Sequence, residues 1–271
     1  QQCFADHLLD SGCQVEALYY VPSDVKMRHE FAEGEAMARE ERASIIARLS
    51  GTGGGPSLIF FGHPDGEPLK NTETWEHDPF AGDISDGRIH GWGVADDLAG
   101  IAIMAEAIKV IRAAGLRPKG DIIATSTPSK RHARGVAAAM QHGYVADAAI
   151  YVHPAESGVG MQEIKAICSG QLYFRVTVTG RGPDTKEPGH TAFAHLAVNA
   201  LDKAMLVKAA LDRLDQARGT RVHHPGIESV VGRATNIMVS HIAGGDAARF
   251  SRIPTSCVLG GAVSFPPGEA M

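Results

Sequence analysis

Three short stretches of this chain carry, at or near the ends of their elements, residue types that can hold a metal. "LIFFGHPDGEP" (Leu58 to Pro68) closes an apolar run on His63, with Asp65 two residues on. "GVADDLAG" sets Asp96 and Asp97 just ahead of a helix-like run, and "AAIYVHP" closes on His153. Two neutral imidazoles and a carboxylate make a suitable ligand set for zinc, with a position left open for water. Asp65 is placed to accept the other ring N–H of His63, which would fix its tautomer and raise its basicity. Each residue also has a purely structural reading. Asp65 suits a bend, either aspartate of the pair suits a helix cap, and His153 with Pro154 suits a surface turn. The metal reading rests on the coincidence of three such sites at equivalent positions. Parallel neighbouring strands would carry all three to one edge of a sheet, where open α/β folds bind ligands.

The elements that must position them are legible as patterns. Residues 1 to 11 read as the end of an amphipathic helix stopped by Ser11-Gly12, and "VEALYYV" reads as a strand. The charged, alanine-rich stretch from Val25 to Leu49 predicts helix, and "GTGGG" a flexible turn. Leu58 to Phe61 is a continuous hydrophobic run, the mark of a strand buried on both faces. The polar segment from His63 to Gly87 shows no helix or strand pattern, and loops of such length are commonly functional or disordered. "LAGIAIMAEAIKVIRAAG" predicts a helix ending at Gly115, "DIIATST" a buried strand, "RGVAAAMQHG" a helix and "AAIYVHP" a strand. This β-α-β-α-β order implies an α/β fold, a largely parallel sheet with helices on both faces. "GQLYFRVTVTG" then alternates cleanly, as in a half-exposed antiparallel strand. A long helix over about His195 to Ala217 follows, with strands near Asn236–Ile242 and Thr255–Phe265. The expected division is 1–166 for a metal-binding catalytic domain and 167–271 for a smaller α+β domain.

Composition narrows the function. The 271 residues are 44% hydrophobic and 21% charged, with a formal net charge of −5, as in an ordinary globular protein. No block of basic charge offers itself to nucleic acid or to an anionic membrane, and no apolar run is long enough to span a bilayer. Thirteen histidines make a metal worth seeking. Cys3, Cys13, Cys168 and Cys257 are scattered without a Cys-x-x-Cys pair, which points to reduced thiols and a cytoplasmic location. The chain starts without methionine, lacks a signal-peptide pattern and ends at "FPPGEAM", so it reads as a piece of a longer protein.

"GHPDGEP" followed by "TWEHDPFAGDISDGRIHGWGVADDLAG" resembles the aminoacylase / acetylornithine deacetylase / glutamate-carboxypeptidase family of zinc metallohydrolases. Trp75, Asp78-Pro79-Phe80, Gly87, Gly91, Gly93, Asp96 and Gly100 carry the likeness in order. "SGQLYFRVTVTGRG", "AVNAL" and "RIPTSCVLGGAVSFPPGE" resemble that family's lid and dimerisation domain. The resemblance implies hydrolysis of amide-type C–N bonds in small molecules by metal-activated water. It implies His63 as a ligand of a first metal, Asp65 as its orienter, and Asp96 as a carboxylate shared by two metals, with a cis peptide to Asp97. His153 stands where the family has an acidic ligand. His190, in "EPGHTAF", matches a lid histidine that stabilises an oxyanion in a partner subunit, or else is a solvated loop histidine. A homodimer through the lid follows from the same resemblance.

The pattern breaks at one place. Where the family has a Glu-Glu pair, a general base and a ligand of the second metal, this chain has Ser129 and Lys130. A lysine ammonium has no lone pair for a metal and would repel a second dication. The expectation is one divalent ion per chain, zinc first and manganese or cobalt next, with Lys130 as a fixed catalytic charge that holds Asp96 or polarises a substrate carbonyl, or else as an ordinary loop lysine. Asp97, His132 and Glu156 are the candidate replacement bases. Two alternatives remain at this point: a one-metal aminohydrolase acting on a non-peptide amine, and a non-catalytic relative that binds small molecules or assembles through the lid.

Overall fold

The computed structural model describes residues 1–28, 39–128, 130, 132–153, 164–186 and 189–269. The chain divides into two compact units, Gln1–Glu163 and Ile164–Met271. The first opens with α1 (Gln2–Asp10), β1 (Gln14–Tyr20), β2 (Arg42–Leu49) and β3 (Leu58–Gly62). A short hairpin, β4 (Asp83–Ser85) with β5 (Arg88–His90), precedes α2 (Ala99–Ala113), β6 (Ile122–Ser126), α3 (Arg134–Gln141) and β7 (Ala148–Tyr151). The main sheet has the order β1-β2-β6-β3-β7. β3 pairs in parallel with both β6 and β7. β2 runs antiparallel to both β1 and β6, so four strands share one direction and β2 alone opposes them.

Alternation along the strands sends side chains to two separate cores. On one face Val15, Ile45, Ala47, Leu49, Phe60, Ile122 and Ala124 meet Phe4 and Leu8 of α1 and Met104, Ala105 and Ile108 of α2. On the other, Ile46, Ile123, Leu18 and Ile59 meet Ala139 of α3 and Tyr144. Full burial of side chains such as Leu8, Met104 and Ile108 contributes roughly 1.5–3 kcal/mol each. The helices thus cover both faces of the sheet.

Two expectations for this unit are corrected. Arg42–Leu49 is a strand and not helix. It lies inside the sheet, where Ser44, Ile46, Ala47 and Leu49 are buried, and packing on both faces overrides the helical preference of its alanines and arginines. Of the remainder of that predicted helix, residues 25–28 and 39–41 are not helical either, and residues 29–38 lie outside the described residues. The segment after His63 is not without strands, because β4 and β5 pair with Ile84 opposite Ile89. Their turn is Asp86-Gly87, at φ 51° and 72°, the left-handed pair that a two-residue hairpin of this twist requires.

The second unit is a three-stranded antiparallel sheet in the order β8-β10-β9. Its strands are β8 (Gly170–Thr179), β9 (Asn236–Gly244) and β10 (Ser256–Phe265), with helices α4 (Ala200–Gly219) and α5 (Pro225–Val231). Val176 and Val178 of β8 join Cys257 and Leu259 of β10 against Ala200 and Ala204 of α4. The long helix starts at Ala200 and not at His195. Asn199 caps it, its Oδ1 accepting the Leu201 N–H at 2.9 Å, while residues 191–196 form a 3₁₀ turn. Among the described residues no helix is long and apolar enough to cross a membrane.

Candidate metal centre

His63 follows β3, His153 follows β7, and Asp96 stands in the turn that enters α2. Backbone bonds extend the parallel pairing past the strands and fix these segments together. The Val152 N–H donates to the Phe61 carbonyl and the Thr127 N–H to the Gly62 carbonyl, each at 3.0 Å. The His63 and His153 rings lie 6.2 Å apart. Each Nε2 lies 3.0 Å from Asp96 Oδ1, and the donor atoms of the three residues all fall within 4.8 Å of one another.

The orientation of His63 is determined by its neighbours. Its Nδ1 lies 2.8 Å from the Asp65 carbonyl oxygen. A carbonyl can only accept, so in the neutral ring Nδ1 carries the proton and Nε2 presents a lone pair. The orienting group is therefore the backbone of Asp65. Its carboxylate Oδ1 stands 3.8 Å from Nδ1, because the carboxylate is turned to accept the Lys130 backbone N–H through Oδ2 at 3.0 Å. His63 Nε2 is buried and makes no hydrogen bond. A ring lone pair facing a carboxylate oxygen at 3.0 Å is repulsive unless positive charge lies between them. A divalent cation shared by the three donors supplies that charge, so the residues present fit a metal ion.

The second oxygen of Asp96 has a different partner. Lys130 Nζ donates to Asp96 Oδ2 in a short contact. Burial pushes the Asp96 carboxyl up, but the Lys130 ammonium, with His153 and His63 beside it, outweighs burial and holds it below the usual carboxylate range. Asp97 is 1% exposed. Its Oδ2 accepts the His63 backbone N–H at 3.1 Å, so it steadies the segment that carries His63. Burial pushes its carboxyl up to about 6, against the opposing His63 N–H. The peptide between Asp96 and Asp97 is cis.

The remaining predicted residues fall elsewhere. His132 is fully buried, and its Nδ1 accepts the Arg134 N–H at 3.2 Å. His190 belongs to the second unit, is exposed, and accepts the Ala192 N–H through Nδ1 at 3.1 Å. Ser129 and Glu156 lie outside the described residues.

Two features of the centre have little sequence signal. Tyr151 stacks on Phe61, ring centroids 4.8 Å apart, and lies 5.0 Å from the His153 ring, which places an aromatic pair beside the two histidines. Gly100, in the first turn of α2, sits so close to the end of β7 that a Cβ there would meet the Val152 carbonyl oxygen at 1.9 Å and Asp97 Oδ1 at 2.2 Å. The sequence marks Gly100 only as a glycine at the start of a strongly helical run and as one of the residues that carry the family likeness, and neither signal names what it approaches.

Known proteins share this sequence and fold. The chain is 28% identical over 230 residues to the N-formyl-4-amino-5-aminomethyl-2-methylpyrimidine deformylase of Bacillus subtilis, covering 83% of this chain and 52% of the relative. It is 30% identical over 215 residues to the succinyl-diaminopimelate desuccinylase of Leptothrix cholodnii, covering 77% of this chain and 53% of the relative. The chain spans about half the length of the curated relatives it matches. The same fold is found in the M20 family metallo-carboxypeptidase Sso-CP2 of Sulfolobus solfataricus, with TM-score 0.64 at 14% identity over 99% of this chain and 66% of that one. It also occurs in aminopeptidase PepT of Bacillus cereus, with TM-score 0.63 at 18% identity over 98% and 61% of the two chains. The model of peptidase family M20/M25/M40 matches residues 59–270, from β3 through the second unit, and with that match the chain belongs to this family.

Proposed function

We propose that the chain is the metal-binding part of a hydrolase that cleaves amide-type C–N bonds in small molecules. The observation that carries this reading is the convergence of His63 Nε2 and His153 Nε2 on Asp96 Oδ1, at 3.0 Å each. A divalent ion, zinc foremost with manganese or cobalt next, brings Lewis acidity and lowers the pKa of water there. The chain's own residues hold that chemistry in place. The Asp65 carbonyl keeps the proton of His63 on Nδ1, Asp97 anchors the His63 backbone, and Lys130 fixes the direction of the Asp96 carboxylate.

The relatives remove formyl and succinyl groups from nitrogen, as their names state, so N-acyl amines are the substrate class to test first. Lys130 beside Asp96, in place of the family's acidic pair, favours a second reading in which another kind of C–N bond is hydrolysed. We assign catalysis to the first unit and lid and dimerisation roles to the second, whose β8 and β9 are edge strands. None of the four cysteines is paired, which supports a reducing, cytoplasmic setting. The test is amine release by the full-length protein from N-formyl, N-succinyl and N-acetyl amines, dipeptides, and cyclic or amidine substrates. Metal-dependent release from the N-acyl amines, abolished in His63→Ala and Asp96→Ala, is the expected result. Release only from the non-acyl compounds moves the assignment to the second reading, and no release by the metal-loaded protein overturns both.

A further inference from the structure

We propose that the Lys130 ammonium is a fixed positive charge that restricts the centre to a single metal ion. This rests on the metal-centre reading above and goes beyond it. Asp96 has two oxygens with separate tasks. Oδ1 faces the two imidazoles, whereas Oδ2 accepts Lys130 Nζ. A carboxylate that bridges two ions must give one oxygen to each, and here the second oxygen is already given to an ammonium. That group has three donors and no lone pair, so it takes the place of an ion without ligating one.

Lys130 is built into the site. Its side chain is 19% exposed, and its backbone N–H is bound to Asp65 Oδ2 at 3.0 Å. That bond ties it to the residue whose carbonyl orients His63. The segment leading to it continues the pairing of β6 with β3 through the Thr127 to Gly62 bond. The residue is thus held at its backbone by Asp65 and at its ammonium by Asp96, which sets the ammonium one carboxylate group away from the imidazoles. A second dication on Oδ2 would be within a few ångströms of it, where like charges repel strongly in a partly buried site. The same repulsion weakens the first ion, so Lys130 exchanges affinity for a defined stoichiometry.

Binding of zinc and of manganese to the full-length protein tests this, read by elemental analysis and by competition titration. The proteins are wild type, Lys130→Arg, Lys130→Met and His63→Ala. Wild type and Lys130→Arg are expected to bind one ion per chain with similar affinity. Lys130→Met, similar in length and uncharged, is expected to bind the first ion about tenfold tighter or more. Two ions in the wild type, or unchanged affinity in Lys130→Met, overturns the role given to Lys130. No ion in the wild type, or unchanged binding in His63→Ala, overturns instead the metal-centre reading on which that role depends.

Discussion

Replacing Gly100 with alanine adds one methyl group and should disturb both the fold and the centre. The new Cβ would lie 1.9 Å from the Val152 carbonyl oxygen and 2.2 Å from Asp97 Oδ1. Real Cβ contacts do not come under 3.0 Å, so the start of α2 must retreat from the end of β7 by about 1 Å. Neither obstacle can yield easily. Val152 is backbone, held by its own N–H to Phe61, and Asp97 is buried and bonded to the His63 N–H. The retreat strips contacts from Met104, Ala105 and Ile108 in the core beneath α2. Overpacking of this kind costs about 1–3 kcal/mol, and the value should fall near 3 because backbone is struck. For a domain of this size that is a fall in Tm of roughly 6–12 °C. It also draws Asp96 away from His153, so zinc affinity should drop at least about tenfold, as ångström-scale misplacement does in preorganised sites. Calorimetry and metal titration of Gly100→Ala measure both effects. Gly182→Ala is the control, since nothing lies within 4 Å of a Cβ there. A Gly100→Ala protein that melts within a degree or two of the wild type and binds zinc equally well would refute the argument.

Other perturbations have defined outcomes. Zinc at about 100 times its Kd should stabilise the wild type by roughly 2.7 kcal/mol; thermal melts with and without a chelator should show that shift in the wild type and none in His63→Ala. Asn199→Ala removes the acceptor for the Leu201 N–H and should cost about 1 kcal/mol in urea unfolding, with Asn199→Asp retaining most of it. Glu269 is held below the usual glutamate range by its hydrogen bonds from Arg218, which outweigh its desolvation. A depressed folded-state pKa stabilises above the unfolded value, about 4.3, and the contribution is lost as pH falls through the folded value. The stability difference between wild type and Glu269→Gln should therefore be present at pH 7 and vanish in the acid range below pH 4; a difference that grows on acidification contradicts the sign.

Much of the positioning frame was legible because its signals are local. β6 is buried along its whole length and reads as a short strand of Ile-Ile-Ala followed by the β-branched Thr125, while α2 carries a helical stripe ended by Gly115. His63, Asp96 and His153 stood out because each ends or begins such an element. β2 was misread because alanine and arginine look helical in isolation, and only its seat between β1 and β6 makes it a strand. The β4–β5 hairpin had its signal in Asp86-Gly87, but strands of three residues carry too little periodicity to be noticed. Asp65 shows a finer limit. Its side chain and its carbonyl belong to one residue, so the sequence could place an acceptor near His63 but could not say which of the two it is. The close approach at Gly100 depends on where a remote strand ends, which no local pattern encodes.

The order of the strands explains why His63, Asp96 and His153 meet where they do. From β3 the chain crosses by α2 to β6 on one side, then returns by α3 to β7 on the other side. The two crossovers lie on opposite faces, α2 against one core and α3 against the other. The connections leaving β3 and β6 therefore part in opposite directions, one to β6 and the other past β3 to β7, and such a reversal of strand order leaves a crevice outside the carboxyl ends, the place where open α/β sheets take ligands. His63 follows β3 at that edge, His153 follows the neighbouring β7, and the turn that enters α2 brings Asp96 between them. Each donor is fixed by a different element, with Asp97 bonded to the His63 N–H and Val152 bonded to Phe61. The carboxylate cannot turn to relieve its contact with the imidazoles, because Lys130 holds its other oxygen. A site assembled this way keeps its three donor groups converged through the pairing of the sheet, the arrangement that the proposed cation would need.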